Sequence, residues 1–332
     1  MVKTISEVVF LWFKHHMVIQ KKMKIKNVLI TGGLGFIGNN IAKHLVNQNM
    51  KVVIFDNSYR GKISNISNIR NKIKIIRGDL TEKKDIQVAL KNIDTIIHCA
   101  AINGTKNFYK NPSLVLDVGV KGLINLIDCC KNKKINNFFI ASSSEVYHLP
   151  KKIPTNEKVK LVIPDVFNPR YSYAGSKIFS ELYAIHKCSK IFKRTIIFRP
   201  HNVYGANMGY DHVIPELIKK IKKKGNNLHV QGTGNETRSF INIKDFIGAF
   251  DILLKRGKNL NIYNIGTKER VTVKKLTKII LNNLKSKKVI KYRKLAKGGT
   301  KHRCPDITKI SKLGFKQKIK LQEGIYNLIN HE

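Results

Sequence analysis

The stretch Asn27-Val28-Leu29-Ile30-Thr31-Gly32-Gly33-Leu34-Gly35-Phe36-Ile37-Gly38 decides the fold. A short β-branched and aliphatic run ends at Thr31 in a glycine-rich turn, and the turn opens onto a helical pattern over Ile37–Asn47. Gly32, Gly35 and Gly38 are evenly spaced, and Gly33, Gly35 and Gly38 also satisfy G-x-G-x-x-G. Glycine is required because the turn must be tight, the backbone must approach a pyrophosphate closely, and the helix must pack on the strand. The helix N-terminus offers free N–H groups and a positive dipole end to the phosphates. Such turns are common punctuation, so the triplet needs support. Asp56 closes the next strand-like run at the distance where a carboxylate accepts from adenosine ribose hydroxyls. It would repel a 2′-phosphate, which selects NAD over NADP.

Working outward, the pattern repeats. Strands are expected at Asn27–Thr31, Lys51–Asp56, Ile73–Arg77, Thr95–Cys99, Asn137–Ser142 and Arg194–Arg199, and their Val/Ile/Phe-rich character suits strands covered on both faces. Helices are expected at Ile37–Asn47, Lys83–Lys91, Ser113–Lys131 and Tyr173–Ser189. Strands alternating with helices give an α/β chain with a Rossmann-type doubly wound parallel sheet. After Tyr204 the elements shorten: a helix near His212–Lys224, strands near Leu228–Gln231 and Ser239–Asn242, and helices near Lys244–Lys255, Val273–Leu284 and Leu321–Asn330. The expected organisation is an extension over 1–22, a dinucleotide-binding domain over 23–204, and a smaller substrate lobe over 205–332, with the ligand cleft between the lobes. Asp245 and Asp306 are read as helix caps. Around the cofactor the expected contacts are Gly32, Gly35, Phe36, Ile37, Gly38, Asp56, Asn57 and Ala100. Asp79 and Leu80, after the third strand, complete the set; Asp79 either accepts from the adenine amino group or caps the following helix.

Composition narrows the class. The chain has 332 residues, 42% of them hydrophobic, which excludes a disordered tail or a disulfide-stapled miniprotein. Lys and Arg number 63 against 21 Asp and Glu, a net charge of +42. Such a balance suggests nucleic acid or an anionic surface. The lysines, however, are spread over the whole length among Asn and Ile, and Arg, the usual bidentate phosphate ligand, is scarce. The charge therefore reads as background, and each of the few acidic residues carries more weight. The five cysteines form no C-x-x-C pair and no metal-ligand spacing with His, which fits a reducing compartment. Val8–Phe13 is too short to span a bilayer, so a cytoplasmic protein without membrane insertion is expected.

The fifth strand runs into Ala141-Ser142-Ser143-Ser144-Glu145-Val146-Tyr147, and further on stands Tyr171-Ser172-Tyr173-Ala174-Gly175-Ser176-Lys177. Tyr173 and Lys177 are one helical turn apart on one face, where an ammonium can depress a phenol toward use as a base. A hydroxyl at the carboxyl end of a central strand can hydrogen-bond a substrate oxygen beside the nicotinamide.

From Lys24 to about Asn330 the sequence resembles an extended short-chain dehydrogenase/reductase of the NAD-dependent nucleotide-sugar epimerase/dehydratase family. The resemblance implies bound NAD, a nucleotide-sugar substrate and a homodimer built on the helices Ser113–Lys131 and Tyr173–Ser189. It makes Tyr173 the base, Lys177 the modulator of its pKa and a nicotinamide-ribose ligand, and Ser143 the hydroxyl that contacts substrate. Asn202, Arg238 and Arg303 resemble the family's ligands for the nucleotide-sugar diphosphate, and His212 and Val213 face base or sugar. Family 4,6-dehydratases carry Asp-Glu before the Val-Tyr; here the pair is Ser144-Glu145, as in UDP-glucuronate decarboxylases. Glu145 either acts in the chemistry or fixes the loop. A 4-epimerase is the least demanding reading, with dehydratase or decarboxylase as the alternative within the family. A basic nucleic-acid-binding protein on the same fold is the alternative outside it, and the intact triad argues against that.

Overall fold

Seven parallel strands form the central sheet: β1 (Asn27–Thr31), β2 (Lys51–Asp56), β3 (Ile73–Arg77), β4 (Thr95–His98), β5 (Asn137–Ala141), β6 (Arg194–Pro200) and β7 (Asn261–Ile265), in the spatial order β7-β6-β5-β4-β1-β2-β3. The computed structural model describes residues 25–148, 150–209, 212–294 and 298–330, so the extension expected over 1–22 lies outside the described residues. Strand order reverses between β1 and β4, and the register sets Thr31 beside both Phe55 and His98. The carboxyl ends of β1, β2 and β4 thus share one rim, at the switch point where open α/β sheets bind ligands.

Neighbouring residues on each strand go to opposite faces. Ile30, Phe139 and Phe198 join one apolar core, and Leu29, Phe138 and Ile197 join the other. Helices α1 (Phe36–Asn47) and α6 (Ile243–Arg256) cover the first face, while α2 (Lys83–Ala89), α3 (Gly122–Cys130) and α4 (Tyr171–His186) cover the second. A third core belongs to the smaller lobe, where Leu217 of α5 (Val213–Lys222), Leu276 and Ile280 of α7 (Val273–Asn283), and Leu321 and Ile325 of α8 (Leu321–Asn330) pack together.

Several elements depart from the sequence expectation. β7 lies beyond residue 204 yet pairs with β6, and α6 packs on the same sheet, so the chain returns to the first lobe after entering the second. The helix expected over Ser113–Lys131 is instead three joined segments: Pro112–Leu116, a π-helical turn at Asp117–Lys121, and α3. Gly119 sits in that turn against α4, where a β-carbon would lie 2.8 Å from the Ser176 side chain. A wider turn at this close contact is a local adjustment that 3.6-residue periodicity does not signal. The strand expected over Ser239–Asn242 divides into Thr237–Ser239 and Ile241–Asn242, and Val289–Arg293 adds a strand beside Asn227–Gln231. Asp306 accepts from the Thr308 backbone N–H at 2.8 Å but lies one residue before the cap position of that short helix, which Ile307 holds without a side-chain bond. Asp245 is not the cap of its helix: Asn242 caps α6, and Asp245 accepts from the backbone of Lys318 and Ile319. No described helix is long and apolar enough to cross a membrane.

Candidate active site

A cavity of about 1170 Å³ opens along the rim of β1, β2 and β4 and extends under the second lobe. The glycine turn forms its floor. Gly32 has φ +69°, and a β-carbon there would stand 2.7 Å from the backbone of Ala100; at Gly38 it would stand 2.3 Å from the Gly32 carbonyl. Side chains are therefore forbidden where β1, the turn and the β4 end converge. Gly35 precedes α1, and no side chain caps that helix, so its first N–H groups remain available for an anionic ligand.

Asp56 is 9% exposed and accepts from the backbone N–H of Leu34 (3.0 Å) and Ser58 (2.8 Å). Burial pushes its carboxyl up, against the downward pull of those two bonds. Asp79 accepts from Thr81 through both backbone and hydroxyl at 2.8 Å and from Asn57 Nδ2 at 2.9 Å. Burial raises Asp79, but these bonds outweigh it and hold the carboxyl below its usual value. Asp79 therefore fixes its own turn and lines the cavity as well. The glycine cradle, the uncapped helix and the cavity-facing carboxylate fit the pyrophosphate and ribose of a dinucleotide.

At the far end stand Ser143, Tyr173 and Lys177, with Tyr173 only 6% and Lys177 only 3% exposed. Ser143 follows β5, and its Oγ accepts from the Glu145 backbone N–H at 3.1 Å, which caps the Ser144–Tyr147 turn. Burial pushes the Tyr173 phenol up to about 12, opposed by a hydrogen bond with Ser143 and by the Arg60 guanidinium. Lys177 is less help to the phenol than the spacing suggests. Its Nζ donates to the Ala141 carbonyl at 2.7 Å and lies 5.7 Å from the tyrosine ring centre. Burial lowers Lys177 itself to about 8.

Glu145 is held by cations. Arg303 Nη1 donates to it at 2.7 Å, and Arg170 Nη2 approaches to 3.8 Å. Burial would raise this carboxyl, but the Arg303 charge and hydrogen bond, with Arg170, bring it down to about 2. Arg303 also donates to Thr300 Oγ1 at 2.9 Å and is 5% exposed. Ser144, in the adjacent position, is 4% exposed.

The cavity brings together Gly32, Gly35, Phe36, Ile37, Gly38, Asp56, Asn57, Asp79, Leu80, Ala100, Ser143, Glu145, Tyr173, Lys177, Asn202, His212 and Arg303. Val213 and Arg238 are not among its lining residues. Val213 opens α5 and packs at the edge of the small lobe's core. Arg238 Nη2 donates to the Thr300 carbonyl at 2.6 Å, and its other bonds go to the Thr237 and Lys301 carbonyls. Burial, together with Arg303, lowers its guanidinium to about 10. Sequence reasoning passed over Arg60, which lines the cavity and donates to the Asn103 carbonyl at 2.6 Å, because an arginine in a loop carries no spacing signal. It also passed over Arg170 as the partner of Glu145 and Glu181 as the partner of Ser142. The scarcity of acidic residues was the available hint for Glu181.

Fold and site together define a dinucleotide-binding α/β enzyme with a tyrosine, a lysine and a serine gathered at one end of the cofactor cleft. Residues 28–266 match the NAD dependent epimerase/dehydratase family, and the chain belongs to that family. Its cofactor is NAD. The solved UDP-N-acetylglucosamine 4-epimerase of Methanobrevibacter ruminantium is 30% identical, with a TM-score of 0.82 over 92% of this chain and 98% of that one. The UDP-N-acetyl-alpha-D-glucosaminuronate decarboxylase of Bacillus cytotoxicus is 29% identical over 92% of this chain and 97% of its own. The dTDP-D-glucose 4,6-dehydratase of Dictyostelium discoideum is 29% identical over 78% of this chain and 62% of its own. The chain is thus an enzyme of a family whose members carry out different reactions on nucleotide sugars.

Proposed function

We propose that the protein is an NAD-dependent nucleotide-sugar 4-epimerase that works through a 4-keto sugar. The observation that carries this reading is the state of the Ser144–Glu145 pair. Elimination of water from a keto sugar calls for a protonated acid beside the leaving hydroxyl. Ser144 is a hydroxyl where family dehydratases have aspartate, and Glu145 is clamped as an anion by Arg303 and Arg170. Without that acid, the direct fate of the ketone is to turn over and be reduced on its other face.

Bound NAD would supply the acceptor for the hydrogen at the sugar's C4. The Tyr173 Oη takes the proton of the C4 hydroxyl and later returns it, with Ser143 Oγ hydrogen-bonding at the same centre. Burial of Tyr173 keeps bulk water away from the proton transfer. Burial outweighs the Ser143 hydrogen bond and the Arg60 charge and leaves the phenol at about 12, so the base needs further positive charge in the site, which the nicotinamide ring of bound NAD would supply. Gly32, Gly35 and Gly38, with the α1 N-terminus, hold the pyrophosphate, and Asp56 holds the adenosine ribose. Asn202, His212 and Arg303 line the sugar-nucleotide side.

A second reading is decarboxylation of a nucleotide-linked uronic acid, favoured by the Ser-Glu pair and by a reaction that loses carbon dioxide without acid assistance. A panel of UDP-, GDP-, CDP- and dTDP-sugars, read by mass spectrometry and NMR, separates these. Unchanged mass with inverted C4 supports epimerisation; loss of water or of carbon dioxide overturns it.

A further inference from the structure

Behind the catalytic residues lies a buried polar cluster. Glu181 sits one helical turn beyond Lys177 on α4 and is 3% exposed. Ser142 Oγ, at the end of β5, donates to Glu181 Oε1 in a short hydrogen bond. Arg199 of β6, 1% exposed, grips the same carboxylate with Nε at 2.7 Å and Nη2 at 2.5 Å, and its Nη1 donates to the Tyr147 hydroxyl at 2.5 Å. Tyr147 closes the turn that begins after Ser143 and donates in turn to Asn264 of β7 at 2.8 Å.

The groups facing Lys177 can be sorted by charge. His98 and Cys99, at the end of β4, are both neutral near pH 7, because burial lowers His98 to about 3 and raises Cys99 to about 12. Tyr173 is neutral for the same reason, at about 12. Ala141 offers a carbonyl. Against the larger, opposing effect of burial, Cys99 and then Glu181 raise Lys177, and Glu181 is the carboxylate of the two.

We propose that Glu181 is a positioning residue of this active site: one buried carboxylate ties the strand end carrying Ser143 to the helix carrying Tyr173 and Lys177, and its charge faces the Lys177 ammonium. The inference rests on Lys177 meeting the nicotinamide ribose, as proposed above, and does not depend on which sugar reacts.

The test is the affinity of the full-length protein for NAD, by equilibrium dialysis across the neutral to alkaline range. In the wild type, affinity falls as pH rises through about 8, where Lys177 loses its charge. Glu181→Gln moves that break down by about one pH unit or more, the size expected when an opposite charge is removed from a buried amine. Glu181→Asp, which keeps the charge one methylene farther back, recovers at least half the shift. Should Glu181→Gln leave Arg199 unpaired and fail to fold, the pair E181Q/R199M removes both buried charges and moves the break in the same direction by a smaller amount, because the loss of the more distant Arg199 charge partly offsets the loss of Glu181. Asp251→Asn, which breaks the distant ion pair with His44 and Lys255, lowers stability without moving the break. A wild type with no break near pH 8, or a folded E181Q or E181Q/R199M with the wild-type break, overturns the proposal.

Discussion

Replacing Glu145 by Gln separates a loop-fixing carboxylate from a reacting one. In the folded protein its carboxyl is brought from an ordinary 4.5 to about 2, burial working against it and Arg303 and Arg170 prevailing. At about 1.4 kcal/mol per pH unit, that difference corresponds to about 3 kcal/mol of folding stability. Because the folded value is the lower one, the contribution is complete above the unfolded value and is lost as pH falls from about 4.5 toward about 2. The Glu145 side chain is 20% exposed and that of Arg303 is 6% exposed, so the pair is shielded enough for most of this to register. E145Q should therefore be about 3 kcal/mol less stable than wild type at neutral pH, as expected when one partner leaves a buried cation behind. On acidification the two proteins should converge. Urea unfolding followed by circular dichroism, at neutral pH and again near pH 3, measures both quantities. Adding Arg303→Met to E145Q should restore part of the loss, because no buried charge then lacks a counter-ion. An E145Q protein as stable as wild type at neutral pH but inactive would refute this reasoning and return Glu145 to the chemistry.

Tyr173→Phe should lower turnover by a factor of about 100 to 10,000, the usual worth of a positioned proton-transfer group, while NAD still binds; a variant keeping a tenth of wild-type turnover removes Tyr173 from the mechanism. Gly38→Ala forces a β-carbon to within 2.3 Å of the Gly32 carbonyl, so NAD affinity should drop at least tenfold in equilibrium dialysis, and an unchanged affinity would show that the turn is not the pyrophosphate cradle. Leu182 is 54% exposed on α4, on the side turned away from Tyr173 and Lys177, and a homodimer through α4 and the Pro112–Cys130 segments is proposed. Leu182→Glu should then shift the mass in light scattering from dimer to monomer, whereas a wild type that is already monomeric ends that proposal.

Much of the candidate site was legible because its requirements are local. The glycine at Gly38 answers a steric demand set within a few residues, by the Gly32 carbonyl, and Tyr173 and Lys177 share a face because four residues make one helical turn. The six strands expected in the first two hundred residues all form, within a residue at each end, since a strand buried on both faces needs an unbroken apolar run. What could not be read depends on distant pairing. β7 is as apolar as its neighbours but lies after an excursion into the second lobe, and nothing local reports that it returns to β6. Arg303 and Glu145 are 158 residues apart, and Arg199 and Glu181 meet across two elements. A sequence shows that a charge exists; only the fold shows what neutralises it.

That distinction changes what the charge of +42 means for the site. With 63 basic and 21 acidic residues, a buried cation finds a carboxylate partner only where the fold delivers one. Near the catalytic end two carboxylates are so delivered: Glu145 to Arg303 and Arg170, and Glu181 to Arg199. In both clusters the carboxylate reaches back to the segment that follows β5, Glu145 by residing in it and Glu181 through Ser142. Two of the 21 acidic residues thus brace the segment that carries Ser143 toward Tyr173 in the cavity. The surplus lysines lie mostly on the solvated surface, where screening makes each of them matter little to the chemistry. Removing an acidic residue from this segment should thus cost far more than removing any single surface lysine.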